Sequence, residues 1–295
     1  MEIRPAVLED AEPAAALYEL IEPYLVTSAR GLRAAISQAG DSRARVCLTA
    51  VEDGELVGWS SAALIAGSDP VSAVLRVLVH PDHRGRGAGT GLLDATHAHL
   101  KEAGAESVRV FADPASAPWA ARWGYAQTRQ VHYAGIEPRR APALPKVPAG
   151  VRLVPLNEVD PRAVHQADEV AQRTKPGDAK ITSRPYDDWL AGVWNAPGMV
   201  LDLSVAALDG ERVIGFTLGN GDHHKIWSQM TATMPEYQGR GLAKLVKCAA
   251  LHRAADAGVV GAFTANYDGN EPMLAVNNWL GYQRTATHSV LICPL

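Results

Sequence analysis

His83-Arg84-Gly85-Arg86-Gly87-Ala88-Gly89 returns later in the chain as Tyr237-Gln238-Gly239-Arg240-Gly241-Leu242-Ala243. Pro235 and Gly241 repeat Pro81 and Gly87 at a single offset of 154 residues. Downstream, Trp123-Gly124-Tyr125 returns as Leu280-Gly281-Tyr282 at an offset of 157. A nearly constant offset over the length of a small domain marks two related units rather than chance recurrence of glycines.

The 295 residues suit two domains of about 150 each, and either half is long enough to bury its own core. A hydrophobic fraction of 47% and a charged fraction of 20% are those of a soluble globular protein. The net charge of −4, without a basic tract, argues against a nucleic-acid or anionic-membrane partner. Cys47, Cys248 and Cys293 form no metal-ligand spacing and leave an odd thiol, which fits a reducing compartment. The N-terminus lacks a signal-peptide core, and no apolar run reaches the roughly 20 residues of a membrane span. The expectation is a cytoplasmic protein.

Between Glu137 and Pro148 stand four prolines, each of which fixes φ and removes a backbone donor. This stretch divides the chain into residues 1–138, a linker over 139–149, and residues 150–295. Each half reads alike. A short strand opens it, Glu2 to Ala6 or Val151 to Pro155. A helical stretch follows, for which Asp10 is the expected cap in the first half and Asp160, ahead of Pro161, in the second. Hairpins then turn at Asp53-Gly54 and Asp209-Gly210. A further strand, Ala73 to Val79 or Ile226 to Met234, runs into the glycine loop. A helix, a strand, a short helix and a last strand complete the half. The order is α/β in character.

A helix N-terminus offers unpaired N–H groups and a partial positive charge. Glycines let the chain curl so that consecutive amides point at one anion. Strand, Arg84-Gly85-Arg86-Gly87-Ala88-Gly89, helix therefore suits a diphosphate. A Walker loop would end in Gly-Lys-Ser/Thr, and neither copy does. A dinucleotide fold would carry its glycines after the first strand, whereas these follow the fourth. The third reading is the acyl-CoA loop, Gln/Arg-x-x-Gly-x-Gly/Ala, matched by Arg84, Gly87 and Gly89 and by Gln238, Gly241 and Ala243.

On these loops, on Val77-Leu78-Val79-His80-Pro81 and Ala232-Thr233-Met234-Pro235 before them, and on the two Gly-Tyr pairs, each half resembles the GNAT superfamily of acyl-CoA-dependent N-acyltransferases. The resemblance implies two tandem domains, each a mixed, mostly antiparallel sheet flanked by helices with a splayed central strand pair. It implies that the cofactor arm pairs with the main chain of Leu78 and Val79, or of Ala232 and Thr233. The diphosphate would meet Gly85, Arg86, Gly87, Ala88, Gly89 and Thr90, or Gly239, Arg240, Gly241, Leu242, Ala243 and Lys244. The family often places an asparagine eleven residues before the Gly-aromatic turn, for the cofactor arm, and a tyrosine four before it, to protonate the leaving thiolate. The second half has Asn270 and Asn277 there; the first has Asp113 and Ala120. The second half is therefore favoured for catalysis.

Acyl transfer to an amine needs a base for the ammonium proton, an oxyanion partner, and an acid or water for the thiolate. His224, beside His223, is the candidate base, against the ordinary role of such a pair in an exposed turn. Tyr267 is the candidate acid, against plain aromatic packing. Asn277 is the candidate holder of a water in place of the missing phenol. His80 and His83 have no third ligand at metal spacing, so no metal is expected. Trp119 and Trp123 suit helix packing. Trp189 and Trp194 suit core packing, with an aromatic wall over the acceptor as the alternative.

The leading expectation is acetyl-CoA-dependent, or other short acyl-CoA-dependent, N-acetylation of a small-molecule primary amine by direct attack in a ternary complex. The alternatives are a degenerate CoA-binding or sensing protein and a protein lysine or N-terminal acetyltransferase. A monomer acting as a pseudo-dimer, or a homodimer, fits the duplication.

Overall fold

The computed structural model describes residues 1–41, 43–174 and 184–295. The first half of the chain runs β1 (Glu2–Pro5), α1 (Ala11–Ile21), α2 (Ala29–Ser37), β2 (Val46–Glu52), β3 (Glu55–Leu64), β4 (Ser72–Val79), α3 (Ala88–Glu102), β5 (Ser107–Ala112), α4 (Ala117–Ala121) and β6 (Ala126–Ile136). The second repeats it with β7 (Val151–Pro155), α5 (Pro161–Thr174), α6 (Tyr186–Trp189), β8 (Val205–Asp209), β9 (Arg212–Gly221), β10 (Lys225–Thr233), α7 (Leu242–Asp256), β11 (Gly261–Tyr267), α8 (Glu271–Leu280) and β12 (Gln283–Pro294). The expected mixed α/β architecture is present in both halves.

Local chemistry sets the element ends. Asp53 and Gly54 both adopt positive φ, as a two-residue hairpin turn requires, and Glu52 pairs with Glu55 across it. Asp160 caps α5 by accepting the Arg162 N–H at 2.9 Å. Asp10 does not cap α1 in that way. It closes a preceding 3-10 turn, and its carboxylate folds back to accept from the Val7 N–H at 2.8 Å and the Arg4 guanidinium at 2.7 Å. The proline-rich stretch forms one 3-10 turn, Pro138–Arg140, and then no helix or strand until β7.

The chain packs as two compact units, Met1–Val131 with Thr287–Leu295, and His132–Ala286. The expected linker at 139–149 separates β6 from β7, while the compact units divide earlier, within β6, and again within β12. In the first unit the strand order is β1-β2-β3-β4-β5-β12-β6; in the second it is β12-β6-β11-β10-β9-β8-β7. The last residues of the chain thus supply the first unit's strand beside β5, with Ser289 opposite Ala112 and Pro294 opposite Ser107.

In each unit the sheet is mostly antiparallel, and β4 pairs with β5, and β10 with β11, in parallel. Apolar side chains cover both faces. In the first unit Leu93 and Leu100 of α3 pack on Leu75 and Val108, and Leu17 and Leu32 pack with Trp59 and Leu78 on the opposite face. In the second, Trp189 and Trp194 pack with Phe216 and Leu218. Each such Leu or Phe contributes roughly 1.5–3 kcal/mol by leaving water. Trp189 is 1% exposed and donates its indole N–H to Asp168 at 2.8 Å, so it belongs to the core rather than to an acceptor wall. Cys47, Cys248 and Cys293 are buried free thiols.

His288 of β12 sits in the first unit's interior, where Tyr24 Oη lies 2.6 Å from its Nε2. Burial, then the nearby Arg76 charge, lowers its pKa to about 4. The unfolded chain takes up this proton below about 6.5, the folded chain only near 4. This histidine's contribution is therefore complete above about pH 6.5 and is lost as pH falls toward 4, by up to about 3 kcal/mol. Urea midpoints from pH 7 to 4 should fall more steeply for the native chain than for His288→Gln.

Candidate active site

In the first unit β4 and β5 pair in parallel from Ser72↔Ser107 to Leu75↔Val110, and the ladder then ends. In the second, β10 and β11 pair from Lys225↔Gly261 to Trp227↔Phe263, and that ladder also ends. Each central pair is therefore closed at one end and parted at the other. Leu78 and Val79, and Ala232 and Thr233, stand on the parted stretches, which lead into the glycine loops.

The two loops share one geometry. Gly85 and Gly87 have φ of 75° and 94°; Gly239 and Gly241 have 76° and 80°. Gly87 and Gly241 precede the first residues of α3 and α7, which are Ala88 and Leu242. An L side chain at these φ values is strained, so glycine is what the curl requires. Nothing lies within 4 Å of where a side chain would project from Gly85, Gly239 or Gly241. Both glycines of the second loop thus border open space at a helix start, which fits a diphosphate; in the first, Gly85 is open, whereas a side chain at Gly87 would meet Met1 Cε at 3.6 Å and one at Gly89 would meet Val79 Cγ2 at 3.5 Å. Arg84 Nε turns back to the Val79 carbonyl at 3.3 Å, and Gln238 Nε2 to the Thr233 carbonyl at 3.5 Å.

A tether that sequence reasoning missed steadies each loop. Glu52 Oε2 lies 2.8 Å from His83 Nδ1 and 3.3 Å from Arg86. The His83 hydrogen bond, ahead of Arg86, holds the Glu52 carboxyl below its usual range. At the matching place Tyr237 Oη donates to Asp209 at 2.9 Å. Tyr237 stands at the 154-residue offset from His83, and Asp209 ends β8 as Glu52 ends β2, but nothing in the residue types announced these pairs. His83 is thereby a loop anchor, and no group of three metal-ligating side chains occurs among the described residues.

The units differ at the remaining positions. In the first, Asp113 caps a turn by accepting the Ala115 N–H at 2.8 Å, and Ala120 is core. Arg76, the first β4 residue beyond the ladder, pairs with the buried Glu22 carboxylate, beside His288 and Tyr24. Trp119 and Trp123 pack against each other, with ring centroids 6.0 Å apart. In the second unit Asn270 opens α8 but makes no side-chain cap to it. Asn277 is 4% exposed; its Nδ2 donates to Asn266 Oδ1 at 2.6 Å, and its Oδ1 has no partner among the described residues. Tyr267 ends β11, three residues before Asn270. The fold thus brings Asn277 to Asn266 at the end of β11, next to Tyr267, while Asn270 opens α8 two turns earlier.

His224 is not brought there. It is exposed in the turn between β9 and β10, where Asp222 Oδ1 accepts its N–H at 3.1 Å. That turn precedes the closed end of the β10–β11 ladder. Ser228 lies four positions beyond His224, about 13 Å along a strand. His223 occupies the same turn at φ 65°. Two neighbouring histidines mark a turn here, as the bland reading of the pair required.

A strand irregularity also escaped the sequence. The β9–β10 register slips between Ser228 and Met230, leaving Gln229 as an extra residue. Ile226 packs with Cys248 and Leu251 of α7, whereas Met230 and Ala232 pack with Trp189 and Trp194 on the opposite face. One inserted residue reverses the alternation. β4 pairs with β3 from Ala73 to Val79 without such a slip.

Two parted strand pairs, each feeding a curled glycine loop at a helix start, define an acyl-CoA-binding fold in duplicate. The sequence pattern of the "Acetyltransferase (GNAT) family" matches residues 9–125 and again 165–282, and the chain belongs to that family as a tandem N-acetyltransferase. It is 32% identical over 248 residues to a mycothiol acetyltransferase of Nocardiopsis dassonvillei, covering 75% of this chain and 72% of that protein. It is 30% identical over 288 residues to one from Nocardia farcinica, covering 92% and 90%. Among solved structures, a tandem GNAT protein from the clavulanic acid biosynthesis pathway superposes with TM-score 0.77 at 20% identity, covering 99% of this chain and 98% of that one. A GCN5-related N-acetyltransferase from Sphaerobacter thermophilus gives 0.75 at 19%, covering 99% and 95%. These two show likeness of fold. No helix among the described residues is long and apolar enough to cross a membrane.

Proposed function

We propose that the protein transfers an acetyl group from acetyl-CoA to the primary amine of a small molecule, by direct attack in a ternary complex, and that the second unit performs the transfer. The observation that carries this reading is the combination, in that unit, of an open glycine cradle with an amide pair at the parted strands. Acetyl-CoA supplies the activated thioester. Gly239–Lys244 hold its diphosphate by main-chain N–H groups, and Ala232, Thr233 and Asn270 align its arm. Asn277 is the group nearest in place to the missing phenol. Turning the Asn266–Asn277 amide pair over exchanges acceptor for donor, so the buried end of Asn277 can present an N–H to a developing thiolate. Tyr267, at the end of β11, is the alternative donor. Among the described residues of the second unit no side chain stands out as the base, and a water chain to solvent serves that step. The first unit binds the cofactor by the same loop geometry, but its parted strands face the Arg76–Glu22 pair.

The relatives named mycothiol acetyltransferase make the free-amine form of mycothiol the first acceptor to test. Such an acceptor carries a thiol that would react with thiol dyes, so the acetylated product is better followed by mass spectrometry. Acceptor-dependent product at the expense of acetyl-CoA is the expected result. The rival reading, a protein that holds CoA without turnover, is favoured by the engagement of Asn277 with Asn266. Tight CoA binding with no product across a broad amine panel would establish that rival.

A further inference from the structure

Lys247, in the second turn of α7, is only 3% exposed. Its Nζ donates to Ser228 Oγ at 3.1 Å and lies 5.2 Å from the centroid of the Tyr282 ring. Together with Thr217, Gly219 and Ala262 these residues line a small cavity whose lining contains no carboxylate. An ammonium group buried without an anion is destabilising. The fold does not require it. At the 154-residue offset the first unit has Leu93. Its Leu75, opposite Ala62, occupies the strand position that Ser228 holds opposite Gly219. Leu75 and Leu93 are both core residues, packed in one cluster with Tyr125. A leucine pair is what stability alone selects at this place, so a lysine–serine pair calls for another reason.

The strand supplies that reason. β4 keeps its register with β3 past Leu75, whereas β10 slips immediately after Ser228. Ser228 is also the first β10 residue beyond the parallel ladder with β11. Its carbonyl is approached by Thr264 Oγ1 at 3.5 Å. Lys247 thus grips the residue at which β10 both bulges and parts from its neighbour. We propose that Lys247 is a positioning residue for acyl transfer: through Ser228 it pins the β10 bulge, and with it the main-chain amides that border the split. Without the anchor β10 is free to drift toward the regular register of β4, which re-aims those amides. This rests on the reading of the second unit as the catalytic one. The glycine loop that would hold the diphosphate lies beyond the far end of β10, so that part of cofactor affinity is set outside the bulge.

Burial brings the Lys247 pKa to about 7. The groups facing it from β9, β10 and β11 are neutral, and Tyr282, its phenol pushed up by burial, is the other titratable group in the lining. Its charge therefore changes near neutral pH, and the kcat profile should carry a step there. The test uses the full chain with Lys247→Met and Ser228→Ala. Lys247→Met should lower kcat about tenfold or more, as expected when a reacting geometry is misplaced. It should leave KM for acetyl-CoA within about twofold, abolish the step near pH 7, and keep or raise Tm. Ser228→Ala should lower kcat in the same sense. A Lys247→Met enzyme with native kcat and native pH profile overturns the proposal, as does a loss of activity that only tracks a fall in Tm. Gly241→Trp, run in parallel, separates the two levels. If it abolishes transfer while Lys247→Met does not, this inference alone fails; if neither matters, the assignment of catalysis to the second unit fails with it.

Discussion

Gly241→Trp is expected to remove acetyl transfer, by at least about a hundredfold in rate, the order lost when a preorganised anion site is dismantled. Gly241 has φ 80° and open space in front of it. An L residue there strains the chain by about 1–2 kcal/mol, and an indole fills the place where the diphosphate would lie. Local strain of that size leaves the fold intact, which circular dichroism and Tm would verify. Gly87→Trp applies the same change to the first unit and should spare most of the turnover. Acceptor-dependent product formation by the two variants, compared side by side, assigns the chemistry to a unit. Full activity in Gly241→Trp would move it to the first.

The second large effect is structural. Arg76→Met leaves the Glu22 carboxylate, 4% exposed, without the guanidinium that pairs with it. Burial already raises the Glu22 pKa, and the Arg76 charge and hydrogen bond work against that rise. Breaking one side of a buried pair costs about 3–5 kcal/mol, because the remaining charge stays desolvated. Urea unfolding should show a loss of that order. Adding Glu22→Gln to Arg76→Met should restore part of it, since a neutral amide tolerates the site better. A single variant as stable as the parent would mean that water reaches Glu22.

Glycine loops, hairpin turns and the succession of helices and strands along the chain were legible because each is decided locally. Asp53-Gly54 selects a tight turn, and Gly85, Gly87, Gly239 and Gly241 mark backbone that only glycine adopts without strain. Contacts distant in sequence were not legible. Nothing in Ala126–Ile136 or Gln283–Pro294 tells which residues of a long strand serve which unit. The approach of His288 to Tyr24 spans 264 positions. Lys247 was hidden for a different reason: on a helix bearing Leu245, Val246 and Leu251, a lysine reads as the solvated face. The Ser228 slip was hidden because an extra residue leaves no compositional trace without a glycine to mark it. His224 shows the converse, a chemically attractive side chain that the hairpin carries away from the parted strands.

Titration calorimetry of acetyl-CoA into the purified chain is the most direct test of the claim that two duplicated main-chain cradles grip the CoA diphosphate. Saturable binding of two molecules per chain is expected, reduced to one by Gly87→Trp and to one by Gly241→Trp. Folded protein that shows no saturable binding at millimolar acetyl-CoA would contradict it.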